Sequence, residues 1–195
     1  MYSSEDGICW NKIPGGSIIP YGQTGDWDGE HIGAMHNLVP FGKDRVAIKS
    51  VESGRPHKFP RWEGTDYGGG MCWSSWQEGR LSGLVADEDG GFFTFPTVPQ
   101  GRQLRLNARV HRGGDLRVGF MVAGSADVSD HIDYSYHNRQ DVAGHTVDDC
   151  DPVFGNDLSI PVHWNGQTDI GIEDGVAVTI QFKLRAAELF GFEWV

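Results

Sequence analysis

Helical periodicity, basic charge, paired cysteines and long apolar runs are all scarce in this sequence, and each scarcity removes a class of protein. Apolar residues at i, i+3, i+4 and i+7 are interrupted by Gly, Pro or Asp nearly everywhere, which excludes a helical bundle. Only Arg185-Ala186-Ala187-Glu188-Leu189 hints at the pattern, and it is short enough to read as a turn. Lys and Arg number 16 against 27 Asp and Glu, for a formal net charge of -11. A chain so poor in cations is not expected to bind nucleic acid, since that binding rests on neutralising phosphates. A neutral or cationic ligand suits it better. Cys9, Cys72 and Cys150 lie too far apart for a CxxC metal site, and at least one thiol has no partner within a monomer. No window approaches the ~18 apolar residues that span a bilayer, and Met1-Tyr2-Ser3-Ser4-Glu5-Asp6 lacks the basic and apolar regions of a signal peptide. The expectation is a soluble chain with no membrane partner; its compartment is left open.

What the sequence does have is glycine, 28 in 195 residues, and alternation of period two. Leu104 to Val110, Leu116 to Val122 and Val176 to Leu184 alternate apolar and polar side chains, as half-buried strands do. Between the first two, Gly113-Gly114 within His111-Arg112-Gly113-Gly114-Asp115 can supply the positive φ of a tight hairpin, which predicts that they pair with each other. The fold class is therefore all-β. Further strands are predicted near 92–96, 142–148, 158–164 and 188–194, spaced as in an antiparallel sandwich. Texture divides the chain: Trp10, Trp27, Trp62, Trp73 and Trp76 fall in the first part, and only Trp164 and Trp194 lie beyond it. The acidic, glycine-ended run Asp87-Glu88-Asp89-Gly90-Gly91 places a linker between a first domain over 1–90 and a second over 91–195.

Two stretches carry a family resemblance. Tyr2-Ser3-Ser4-Glu5-Asp6-Gly7-Ile8-Cys9-Trp10 resembles the S-x-D-G-x-x-W strand-turn-strand that ends a blade in the five-bladed β-propeller glycoside hydrolases, the group that includes families 32 and 43. Asp6-Gly7 would form its hairpin turn, and Trp10 would pack between blades. The segments after Trp10 also resemble the last blade of that group: Gly25-Asp26-Trp27-Asp28, an inner strand from Ile32 to Phe41, Arg45 to Glu52, then Gly54-Arg55-Pro56-His57. The remainder resembles the β-sandwich that often succeeds such a propeller, through Leu104 to Ala108, Asp149-Cys150-Asp151-Pro152, Val162-His163-Trp164-Asn165-Gly166 and the closing Leu184 to Phe192, with 123–141 as an inserted loop. The resemblance implies a partial propeller, its last blade, joined to a sandwich that supports it. It also implies that this is the tail of a larger glycosidase-like protein, whose missing blades come from another chain or an extended reading frame. The catalytic carboxylates of that group lie on the absent blades, so the chain is expected to be silent as an enzyme by itself.

Hydrolysis of a glycoside needs two carboxyl groups flanking the bond. Asp28, Glu30 and Glu52 are the carboxylates near the inner ends of the last blade, and surface carboxylates are the default against which they are weighed. Binding is the stronger reading. Trp27 offers a stacking face, Asp28 and Glu52 accept from hydroxyls, and His36, Arg55 and His57 donate to them at the mouth of a carbohydrate cleft. The plainer alternative makes Trp27 a packing wedge and lets Arg55 and His57 fix the loop from Ser53 to Pro60. No H-E-x-x-H or facial-triad spacing is present, so no transition-metal cofactor is expected. Asp148, Asp149, Asp151 and Asp157 form an oxygen-rich cluster suited to structural calcium, or a solvated acidic turn. A stand-alone carbohydrate-binding or adhesion module is the rival reading, and a purely structural domain a third.

Overall fold

A computed structural model describes residues 2–4, 6–55, 68–123 and 139–195 of the chain. Among the described residues every regular element is a β-strand and every pairing is antiparallel. None of them forms a helix long and apolar enough to cross a membrane. The chain divides into two units, Met1–Glu78 and Gly79–Val195.

In the first unit, β1 (Tyr2–Ser3) and β2 (Asn11–Lys12) make a small hairpin. Its loop is organised by Asp6, whose Oδ1 accepts from the backbone N–H groups of Ile8 at 2.8 Å and Cys9 at 2.7 Å. Gly7, at φ 72°, takes the left-handed step that a side chain disfavours. Trp10, expected as a wedge, is 61% exposed, and its indole N–H donates to the Gly7 carbonyl. The second sheet is built on β5 (Arg45–Ser53). Along one edge of it lie β3 (His31–Ala34) and β4 (Val39–Pro40), end to end; along the other lies β6 (Gly69–Gln77). The expected inner strand from Ile32 to Phe41 is thus broken between Ala34 and Val39. The β5–β6 register runs from Arg45↔Gln77 to Ser53↔Gly69. Because side chains alternate, Ser50, Glu52, Gly70 and Cys72 share one face, and Val51, Met71 and Trp73 the other.

The second unit is one five-stranded sheet in the order β10-β8-β11-β7. Its members are β7 (Leu84–Phe93), β8 (Leu104–Ala123), β9 (Arg139–Asp141) paired to the end of β8, β10 (Asn156–Pro161) and β11 (Val178–Trp194). The hairpin expected at 111–115 is replaced by a bulge. Residues 104–123 form one strand, and both of its halves pair with β11. Register passes from Arg185↔Asp115 to Ala187↔Val110, so residues 111–114 bulge opposite Ala186, which itself takes φ 44°. Gly114 lies so close to the Arg185 and Ala186 carbonyls that a Cβ there would overlap them, so its glycine serves close strand approach rather than a reversal. The segment around Arg185–Leu189, read as a turn, and the strands predicted at 176–184 and 188–194 are likewise parts of the single β11.

Across the bulge, alternation stays coherent because the chain changes phase. Val178, Ile180, Phe182 and Leu184 are buried before it, Ala187 and Leu189 after it. The outward positions meet as ion pairs, Arg185 with Asp115 and Arg109 with Glu188. The core is completed by side chains from the stretch between β9 and β11: Cys150, Val153, Val162, Trp164, Ile170 and Ile172. Trp164 is 1% exposed, rests on Phe120 at 5.0 Å and donates its indole N–H to the Val118 carbonyl at 2.9 Å. No strand forms at 142–148, where a turn bonds His145 N–H to the Val142 carbonyl. The run expected as a linker, Asp87 to Gly91, lies inside β7 and pairs with β11, and the chain divides instead between Glu78 and Gly79. Its charges suit an edge strand, where they discourage pairing with another chain. The inserted loop predicted at 123–141 falls largely outside the described residues.

Candidate functional site

Glu52 and Trp27 define the most chemically loaded place in the first unit. Glu52, near the end of β5, is 6% exposed. A carboxylate so far from water needs donors, and Ser50, two residues earlier on the same face and itself fully buried, supplies one: its Oγ donates to Glu52 Oε1 at 2.7 Å. Directly across from Glu52 in the β5–β6 register stands Gly70, and across from Ser50 stands Cys72. Cys72 is half-buried. Its thiol is pushed up from its ordinary value first by burial, then by the negative charge of Glu52 and by hydrogen bonding to it, with a smaller push from Asp28. It is therefore a protonated donor at neutral pH, not a nucleophilic thiolate.

The loop from Gly22 to Glu30 folds over this end of the sheet. Asp26 Oδ2 accepts from the Gln23 N–H at 2.8 Å, Gly29 N–H donates to the Asp26 carbonyl at 3.2 Å, and Glu30 N–H donates to the Ser53 carbonyl at 3.1 Å. These bonds set Trp27 above the start of β6. Its ring stands on Gly70, where a Cβ would lie 3.4 Å from Cζ3, and its Cβ stands on Gly68 at 3.1 Å by the same measure. The glycines leave a bare floor on which the indole can lie, while the ring stays 46% exposed. Asp28 comes next, half-buried, its carboxylate seated against Gly22, where a Cβ would overlap Oδ1.

Of the residues singled out from sequence, the fold thus gathers Trp27, Asp28 and Glu52. Arg55 is close in sequence, half-buried in the bend after β5, with its backbone N–H donating to Ser53 Oγ at 3.3 Å. His36 is exposed and lies past the opposite end of β3, four residues beyond the Ile32 that pairs with Glu52, or roughly 13 Å along an extended strand. His57 lies outside the described residues. Glu30 is half-buried and engaged through its backbone. Ser50, Cys72 and the glycine floor were not singled out. The signal for them was present: Gly68-Gly69-Gly70 immediately precedes an alternating run, a mark of close approach by another group.

The acidic cluster of the second unit is put to local use. Asp149 Oδ2 accepts from the backbone N–H and hydroxyl of Thr146, and these bonds hold its carboxyl below the usual carboxylate range. Asp151 Oδ2 accepts from the Gly166 N–H at 2.7 Å, and Asp157 Oδ1 from the Ser159 N–H at 3.1 Å. Among the described residues no three His, Cys, Asp or Glu side chains are grouped to hold a metal ion.

No protein family matches the sequence, and neither the curated proteins nor the solved structures contain a match to it.

Proposed function

We propose that the Met1–Glu78 unit carries a carbohydrate-binding surface, with Trp27 as its stacking platform and Glu52 and Asp28 as hydroxyl acceptors. The observation that carries this reading is a half-exposed indole lying on a glycine floor beside a buried carboxylate. A sugar ring has one apolar C–H face and a rim of hydroxyls, and an aromatic plane flanked by carboxylates complements both. In this proposal the chain is the C-terminal part of a glycoside hydrolase-like protein. The β3–β6 sheet is the last blade of a propeller whose other blades lie in another chain or in an extended reading frame, and the Gly79–Val195 unit, a five-stranded sheet covered by side chains of its own connections, takes the place of the β-sandwich joined to it. It binds without catalysing.

The test is titration against a panel of neutral gluco-, xylo-, arabino- and fructo-oligosaccharides. Trp27→Ala should weaken binding about tenfold or more, which corresponds to ~1.4 kcal/mol, while leaving the unfolding midpoint in place. Unchanged affinity in that variant rejects the site. Turnover of an aryl glycoside that disappears in Glu52→Gln would overturn the binding-only reading. A second reading, a self-sufficient carbohydrate-binding or adhesion domain, is favoured by one feature: Trp27, Asp28, Ser50, Glu52 and Cys72 all come from a single unit. Genomic sequence upstream of Met1 separates the two, since only the first requires the missing blades to be encoded nearby.

A further inference from the structure

Glu52 is more deeply buried than a surface acceptor for sugar hydroxyls needs to be, and the residues around it show how that burial is sustained. An ionised carboxylate withdrawn from water costs several kcal/mol unless charge-assisted hydrogen bonds replace its hydration. On its own strand, the Ser50 hydroxyl donates to Oε1 at 2.7 Å. On the neighbouring strand, Cys72 pairs with Ser50, so the register sends its thiol out of the same face toward the same carboxylate. The cross-strand partner of Glu52 itself is Gly70, which contributes no side chain, and the edge of the Trp27 ring occupies the space above that glycine. Donors therefore stand on one side of Glu52 and the open indole on the other.

We propose that the Ser50 hydroxyl and the Cys72 thiol form a two-donor clamp that fixes the Glu52 carboxylate in one rotamer and leaves one oxygen lone pair directed to the Trp27 face, where it accepts a ligand hydroxyl. Both are positioning residues. The ligand class rests on the proposed carbohydrate function, whereas the clamp does not. A thiol suits this place because it is a weak donor that stays protonated beside a carboxylate, and its bulk fills a half-buried position without competing for the ligand. The raised pKa of the Cys72 thiol agrees with this, since burial and the facing carboxylate both oppose thiolate formation.

The experiment uses the full chain and two readouts. The first needs no ligand: the infrared S–H stretch of Cys72, assigned by its loss in Cys72→Ser, should move to higher frequency in Glu52→Gln as a charge-assisted acceptor becomes a neutral one. If Glu52→Gln does not fold, Glu52→Asp, which withdraws the carboxylate by one methylene, serves the same comparison. An S–H band indifferent to residue 52 overturns the clamp. The second readout is affinity for the oligosaccharide of the panel that wild type binds most tightly. Cys72→Ser, which keeps a donor, should remain within about twofold of wild type, and Cys72→Ala should lose about tenfold, with both unfolding midpoints close together. Equal affinities in the Ser and Ala variants reject the clamp. A displaced S–H band in a protein that binds none of the sugars would reject the carbohydrate reading and uphold the clamp.

Discussion

Arg80 takes a full charge into the interior of the second unit, and among the described residues its hydrogen bonds reach no carboxylate. It is 6% exposed, and burial lowers its basicity. Its guanidinium is satisfied by neutral acceptors: Nε donates to Asn107 Oδ1 at 2.8 Å, Nη1 to Asn156 Oδ1, and Nη2 to the Asp157 carbonyl at 2.8 Å and the Ala108 carbonyl at 3.2 Å. The Phe190 ring lies 4.8 Å beneath it. The planar fork reaches β8 and β10 at once, which a lysine ammonium cannot do. Arg80→Met should cost on the order of 1 to 3 kcal/mol in urea unfolding, because it strands the buried Ala108 carbonyl and removes the bonds that tie Asn107 to Asn156 and Asp157, and Arg80→Lys should recover only part of that. Equal stability of all three proteins would show the network to be idle. Nothing in the sequence around Glu78-Gly79-Arg80 marks this residue as interior, since the acceptors that make its burial tolerable lie 27 and 76 positions away.

Among the elements, the connections around β8 and β11 carry the acid sensitivity of the second unit. Asp169 accepts from Arg102 Nη2 at 2.7 Å and from the Gly171 N–H at 2.8 Å, and these bonds hold its carboxyl below the ordinary range, as those from Thr146 do for Asp149. In the unfolded chain both groups take up a proton near about pH 4. Their folded values lie lower, so the stabilisation they provide is complete above about pH 4 and drains away as pH falls below it. The urea midpoint should therefore fall between about pH 4 and pH 2.5, and Asp169→Asn should flatten that decline. A variant as acid-sensitive as wild type would assign the effect elsewhere. The alternating pattern of β8 and β11 was plain in the sequence, but their pairing was not. Gly113-Gly114 is chemically fit for a hairpin turn and for a bulge alike, and a long partner such as β11 decides for the bulge by pairing with both halves.

For the whole molecule, the division between Glu78 and Gly79 has a direct consequence for what can fold alone. A fragment beginning near residue 92 loses nearly all of β7 and loses Arg80, exposing the β11 edge and leaving the Asn107 and Asn156 acceptors unfilled. A Gly79–Val195 fragment keeps them. The longer fragment should unfold cooperatively with a β-type far-ultraviolet signature, and a fragment of residues 92–195 should be markedly less stable or molten. Equal cooperativity of the two would remove β7 and Arg80 from the folding unit. In the first unit the candidate site depends on a comparable convergence: the Gly22–Glu30 loop, the end of β5 and the start of β6 meet although they are spread from Gly22 to Cys72.

The sequence by itself determined the all-β class, because alternation of period two and frequent glycine leave helices no apolar stripe to bury. It also marked Trp27, Asp28, His36, Glu52, Arg55 and His57 as candidate ligand contacts, of which the fold gathers Trp27, Asp28 and Glu52. Only the tertiary structure decided which strand each alternating run would pair with, that an acidic run would be an edge strand and not a linker, and that Ser50 and Cys72 would face Glu52. The physical reason is that strand alternation is local, whereas register is a relation between distant segments. A shift of one residue in β6 would turn Cys72 to the opposite face and leave Glu52 beside a different neighbour.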